Sequence, residues 1–184
     1  MATAMLTEQE RQAAIEQLTK TRQTVIDAVA GLTENQARWT PSPERWSILG
    51  YLEHLAVSDD ALVALVKRSL QTPAQPETGE QREAREAKLK ETHAPRGANK
   101  APEPLKPAGR FKTVAEALDA FLASRERTLE FARTTQDDLR SHFTPHSVYG
   151  QMDGYQWLNG NARHAHSHSD HIREIREMAN FPAA

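Results

Sequence analysis

Four stretches of this chain space their apolar residues by threes and fours, and no convincing strand pattern breaks the series. That spacing marks one buried face per helix, and four such faces close around a single core. The first stretch runs from Thr7 to about Leu32, with Ile15, Leu18, Val25, Val29 and Leu32 on one face and Arg22 filling a gap. Thr7 and Glu10 have the spacing of a capping box, and Gly31 is a natural stop. Ser47 reads as the N-cap of a second helix reaching about Leu70. Its stripe holds Ile48, Leu52, Leu55, Leu62 and Val66, with Asp59 inside it and His54 beside it. A third helix starts at Thr113, with Glu116 as capping partner, and ends near Thr134 after Val114, Leu118, Phe121, Leu122 and Leu129. The last runs from about Asp153 to Ala179. The expected fold is all-α: one four-helix-bundle domain covering residues 1–184.

The connection between the second and third helices, residues 72–111, differs in character. It holds Pro73, Pro76, Pro95, Pro102, Pro104 and Pro107 and almost no apolar anchors. EQREAREAKLKE within it suits a short solvated helix. A loop this long is uncommon in a compact domain, so it is either a mobile insertion or a lid over a pocket.

Composition closes off several functions. The net charge is −2 and basic residues are scattered singly, so neither nucleic acid nor an anionic membrane is an expected partner. There is no cysteine, which excludes disulfides, a thiolate nucleophile and cysteine-ligated metals. The polar N-terminal stretch does not read as a signal peptide, and no apolar run is long enough to span a bilayer. The expected location is the cytoplasm.

Four of the eight histidines stand in HAHSHSDH, residues 164–171. Residues four apart on a helix are offset by roughly 40° and residues seven apart by roughly 20°. His164, His168 and His171 therefore share a face, and His166 points the other way. Trp157, Ile172, Ile175 and Met178 define the buried stripe, which passes back through His168, His164 and Asn161. Two imidazoles thus stand where a bundle normally carries Leu or Ile. Buried imidazoles need partners, and one shared metal ion would serve both. His54, near the seam of a facing helix, would complete a three-nitrogen site of the kind bundles build. The same histidines also fit hydrogen-bonded core residues or a solvated surface.

The segment from Trp46-Ser47-Ile48 to His54-Leu55 resembles the start of the second helix in DinB-like proteins. GQMDGYQWLNGNARHAHSHSDHIREI is similar to that family's last helix, where a Trp-Leu pair precedes His-x-x-x-His-x-x-Gln-Ile. His164, His168 and Ile172 match that pattern, and His171 stands where the family usually has glutamine. The resemblance implies an up-down-down-up bundle and a divalent metal, zinc or nickel, held by His54, His164 and His168. It also implies a homodimer. His171 is then expected to orient a ligating histidine from the second rank rather than to bind the metal itself.

Three nitrogen ligands leave a coordination position open, the mark of a catalytic site. Related members of the family are thiol-dependent transferases that activate bacillithiol or mycothiol. The expected activity is metal-dependent thiol S-transfer or hydrolysis of a small-molecule substrate. Asp59, Asp60 and His171 are the candidates for moving protons. The alternative is a stress-response module that binds a metal or small ligand without turnover.

Overall fold

Each of the four amphipathic stretches is a long helix in the computed structural model, which describes residues 5–92 and 100–183. Helix α1 spans Glu8–Val29, opened by a reciprocal capping box between Thr7 and Glu10. Gly31, at φ 72°, turns the chain out of it. A short helix, α2, spans Glu34–Arg38, and Thr33 and Gln36 cap it reciprocally. The sequence pattern does not announce it, because five residues are too few for a periodicity to show. Helix α3 spans Ile48–Ser69, with the Ser47 hydroxyl accepting from the Gly50 N–H.

The proline-rich connection carries helix α4, Gly79–Glu91, and a single 3-10 turn at Glu103–Leu105. Helix α4 is mostly exposed, with Leu89 its buried side chain, as the polar composition suggests. Residues 93–99 of the connection, and with them part of the expected lid or mobile insertion, lie outside the described residues. Helix α5 follows at Val114–Thr134 and helix α6 at Gly154–Arg176. Between them sit two short antiparallel strands, β1 (Phe143–His146) and β2 (Gly150–Asp153). This hairpin is an addition to the expected helical bundle that the sequence pattern does not display. Four-residue strands, one holding Pro145, carry no alternation that a sequence can display.

The direction of each helix follows from its cross-links. Arg11, early in α1, donates to the carbonyl of Ala132, late in α5, so these two run antiparallel. Asp59 pairs with Arg125 and Asp60 with Arg127, while Lys67 lies over Phe131, so α3 and α5 run parallel. Asp59 and Arg125 also meet Asn161, while Trp46 meets His168, so α3 and α6 are antiparallel. Arg176 reaches the Ala28 carbonyl, so α6 and α1 end together. The bundle is therefore up-down-down-up, and its neighbouring pairs are α1–α5, α5–α3, α3–α6 and α6–α1.

The core has two apolar tiers. One holds Val25, Ile48, Leu52, Leu55, Phe121, Ile172 and Ile175. The other holds Leu18, Val66, Leu129, Leu139 and Leu158. Between them lies a buried polar layer, one residue or more from every long helix: Thr21, Asp59, Arg125 and Asn161. The Arg125 Nε is 2.7 Å from Asp59 Oδ2, and both side chains are 0% exposed.

A second ionic knot holds α4 to the bundle, at the end where α6 begins. Buried Arg140 meets Asp153 at 2.7 Å and also pairs with Glu86 of α4. Arg85 of α4 meets the same Asp153 at 2.9 Å and Glu77 at 2.7 Å. Residue 100 onward leads into α5, whose first turn lies at the opposite end of the bundle from that knot. Among the described residues no helix is long and apolar enough to cross a membrane.

Candidate metal centre

Helix α3 delivers His54 into the first apolar tier, and α6 delivers His164 and His168 from successive turns of its inner face. The Nε2 of His164 lies 3.0 Å from the Nε2 of His54 and 3.0 Å from the Nε2 of His168. One nitrogen from each of the three falls within 4.8 Å of the others. Trp46 packs on His54, with ring centroids 4.9 Å apart, and Tyr51 packs on His168 at 5.2 Å. These two aromatic rings wall the cluster; Trp46 opens the motif noted in the sequence, whereas Tyr51 is not picked out there. The signal for Tyr51 was available: it precedes His54 by three positions, so the two share a helical face.

The protons can be placed from the partners. His54 Nδ1 donates to the Leu105 carbonyl at 2.8 Å, so its Nε2 carries a lone pair aimed at the other two rings. Ser58 Oγ lies 3.4 Å from His54, too far to orient it as firmly. Among the described residues, the Nδ1 atoms of His164 and His168 are buried and have no hydrogen-bond partner. Three neutral imidazoles meeting through Nε2 cannot all be satisfied by one another, since each contact needs one donor and one lone pair. A cation between them would use all three lone pairs at once, so the donor set fits a divalent metal.

Burial keeps these imidazoles neutral. It pushes His164 down to about 3, helped by the proximity of His54 and Arg125. It pushes His168 down to about 2, helped by His164, His54 and His171. His54 is lowered by burial, against the pull of the Leu105 carbonyl. Neutral imidazole is the form that ligates a metal. The linkage has a definite sign. These groups stay unprotonated in the fold while their unfolded counterparts take up protons below about pH 6.5. Acidification therefore favours the unfolded chain, by about 1.4 kcal/mol per pH unit for each such imidazole. Asp59, pushed up to about 6 by burial against the attraction of Arg125, acts in the opposite sense and leaves the histidines in excess. Metal-free protein is thus expected to lose urea resistance steadily from pH 7 to pH 5. A flat or rising midpoint over that range would contradict this placement of the histidines.

The other sequence candidates fall elsewhere. His171 lies beside the cluster, its ring centroid 5.5 Å from His168 and 5.6 Å from Tyr51. Asp59 is committed to Arg125, and Asp60 pairs with Arg127 at the surface, at 2.7 Å. His166 points outward, 3.7 Å from Asp170.

Comparison with known proteins agrees with this architecture. The chain is 24% identical over 147 residues to the uncharacterised YuaE protein of Bacillus subtilis strain 168, spanning 80% of this chain and 87% of that one. YfiT from Bacillus subtilis, a probable metal-dependent hydrolase with an unusual four-helix bundle topology, shares the fold at a TM-score of 0.60 and 16% identity, over 92% of this chain and 87% of YfiT. A conserved protein from Enterococcus faecalis superposes with a TM-score of 0.59 at 15% identity, over 89% of this chain and 95% of its own. The family model of the DinB superfamily matches residues 17–172, a span that takes in His54, His164 and His168, and the chain belongs to that superfamily.

Proposed function

We propose that this protein is a divalent-metal-dependent enzyme acting on a small molecule, by thiol S-transfer or hydrolysis. Its ligands are His54, His164 and His168, and its ion is zinc or nickel. The observation that carries this reading is the convergence of three Nε2 atoms, from buried His54 and half-buried His164 and His168, two of the contacts at 3.0 Å. The description of YfiT as a probable metal-dependent hydrolase supports it. A bound ion would bring the pKa of a coordinated thiol or water toward neutrality, so that the nucleophile is available at pH 7.

The chain's own residues supply the rest. Burial holds the imidazoles unprotonated and ready to ligate. Leu105 orients His54 through its carbonyl, and His171 supports His168 from the flank. Trp46 and Tyr51 form an apolar wall that a small organic substrate can lie against. The co-substrate in the transfer reaction is a low-molecular-weight thiol, bacillithiol or mycothiol.

Elemental analysis of untagged protein, followed by assays of the replete and chelated forms, tests this. About one divalent ion per chain is expected for a site of this kind. Metal-replete protein is expected to consume thiol in the presence of an electrophile, or to hydrolyse an activated ester, and the chelated form to do neither. A full metal complement with no turnover of either sort would favour a binding module.

A further inference from the structure

Glu53 precedes His54 on α3 and is only 2% exposed. Its carboxylate is fully occupied by the returning limb of the connection. Oε1 accepts from the Ala108 N–H at 2.6 Å and from Arg110 Nη1 at 2.5 Å. Oε2 accepts from the N–H groups of Gly109 at 3.0 Å and Arg110 at 3.1 Å. Burial opposes ionisation of this group, but these four donors outweigh it and hold the carboxyl below its ordinary range. Gly109, at φ 73°, supplies the left-handed turn that lets three successive amides face one carboxylate.

The same small loop is tied from inside. Arg110 donates to the carbonyls of Lys106 at 2.9 Å and Pro104 at 3.0 Å. Residues 104–110 are therefore wrapped around one carboxylate and one guanidinium. The Leu105 carbonyl lies within that wrap, and it is the group that His54 Nδ1 donates to. The loop also sits tightly on α3. A Cβ on Gly50 would come within 3.3 Å of Pro107 Cγ.

We propose that Glu53 is a positioning residue for the metal centre. By folding residues 104–110, it sets the Leu105 carbonyl against His54 and so fixes the tautomer and ring angle that present Nε2 to the site. This rests on the three-histidine reading above. A ligating histidine needs its other nitrogen anchored, and losing such an anchor typically costs 10- to 100-fold in metal affinity. Glutamine in place of Glu53 keeps the shape but replaces one acceptor oxygen with a donor, which would face amides that are donors themselves.

The test titrates cobalt(II) into wild type, Glu53→Gln and Arg110→Ala, and reads affinity and the visible cobalt spectrum. Amide exchange at 108–110 and the His54 imidazole nitrogen shifts are recorded on the metal-free proteins. Glu53→Gln is expected to speed exchange at 108–110, mix the His54 tautomers, alter the cobalt spectrum and weaken binding by about 10- to 100-fold. Arg110→Ala loosens the same loop while leaving the carboxylate, so it should move each readout in the same direction by less. It carries the test if Glu53→Gln fails to fold. Faster exchange at 108–110 with cobalt affinity and His54 tautomer unchanged would overturn the positioning role and leave the three-histidine site standing. Wild-type protein that takes up no cobalt, zinc or nickel would remove the site itself, and the proposal with it.

Discussion

Replacing His164 with alanine is expected to abolish metal uptake and the stabilisation that goes with it. His164 is the central member of the cluster, with its Nε2 3.0 Å from each of the other two. Its removal leaves two nitrogens that no third group of the described residues joins. The loss should exceed the roughly 100-fold ceiling of changes outside the ligand set. Wild type with free metal at about 100 times its Kd gains about 2.7 kcal/mol, because the ion binds the folded form only. For a chain of this size that is a Tm rise of roughly 5–10 °C. The variant should show none, and His166→Ala, changed on the outer face of the same helix, should behave as wild type. An undiminished Tm rise in His164→Ala would mean that the ion binds elsewhere.

The second large effect lies in the buried polar layer. Arg125→Ala is expected to cost about 3–5 kcal/mol, because it strands Asp59 without its counter-charge inside the bundle. That corresponds to a Tm drop of roughly 6–20 °C. Asp59→Ala should cost a similar amount, since it strands a guanidinium that burial already makes less willing to stay charged. The double replacement Asp59→Leu with Arg125→Met removes both charges and fills the site with apolar side chains, so it should recover most of the loss. Thermal melts of the three variants decide this. If the double variant were as unstable as the sum of the singles, the pair would not be acting as a pair.

These two predictions differ in how far the sequence alone could lead to them. Ile15, Leu18, Val25 and Val29 on α1, and their counterparts on the other long helices, announce the bundle because burial imposes a period that survives in the residue types. His164 and His168 were legible for the same reason: polar residues on an otherwise apolar stripe demand an explanation. Asp59 and Arg125 belong to the same class. Asp59 stands in the stripe of α3, and Arg125 stands four residues after Phe121 on α5, so two opposite charges occupy buried positions. Matching one against the other was the signal, but which helices adjoin depends on topology. The Leu105 carbonyl was beyond reach, because every residue has one and only the path of the chain brings this one to His54. Glu53 was hidden likewise, its partners being three main-chain amides.

The parallel run of α3 and α5 has a consequence for how the molecule folds. Helices consecutive in sequence, α1 with α3 and α5 with α6, lie across the diagonal of the bundle rather than side by side. The contacts that do join neighbours are distant along the chain: 66 positions for Asp59 and Arg125, 121 for Arg11 and Ala132, 148 for Ala28 and Arg176. No local hairpin of two long helices can form first and template the rest. A long stretch of chain must close before the core repays the lost entropy. Refolding should accordingly be slower than in up-and-down bundles of equal length, nearer to mixed α/β domains than to other helical ones.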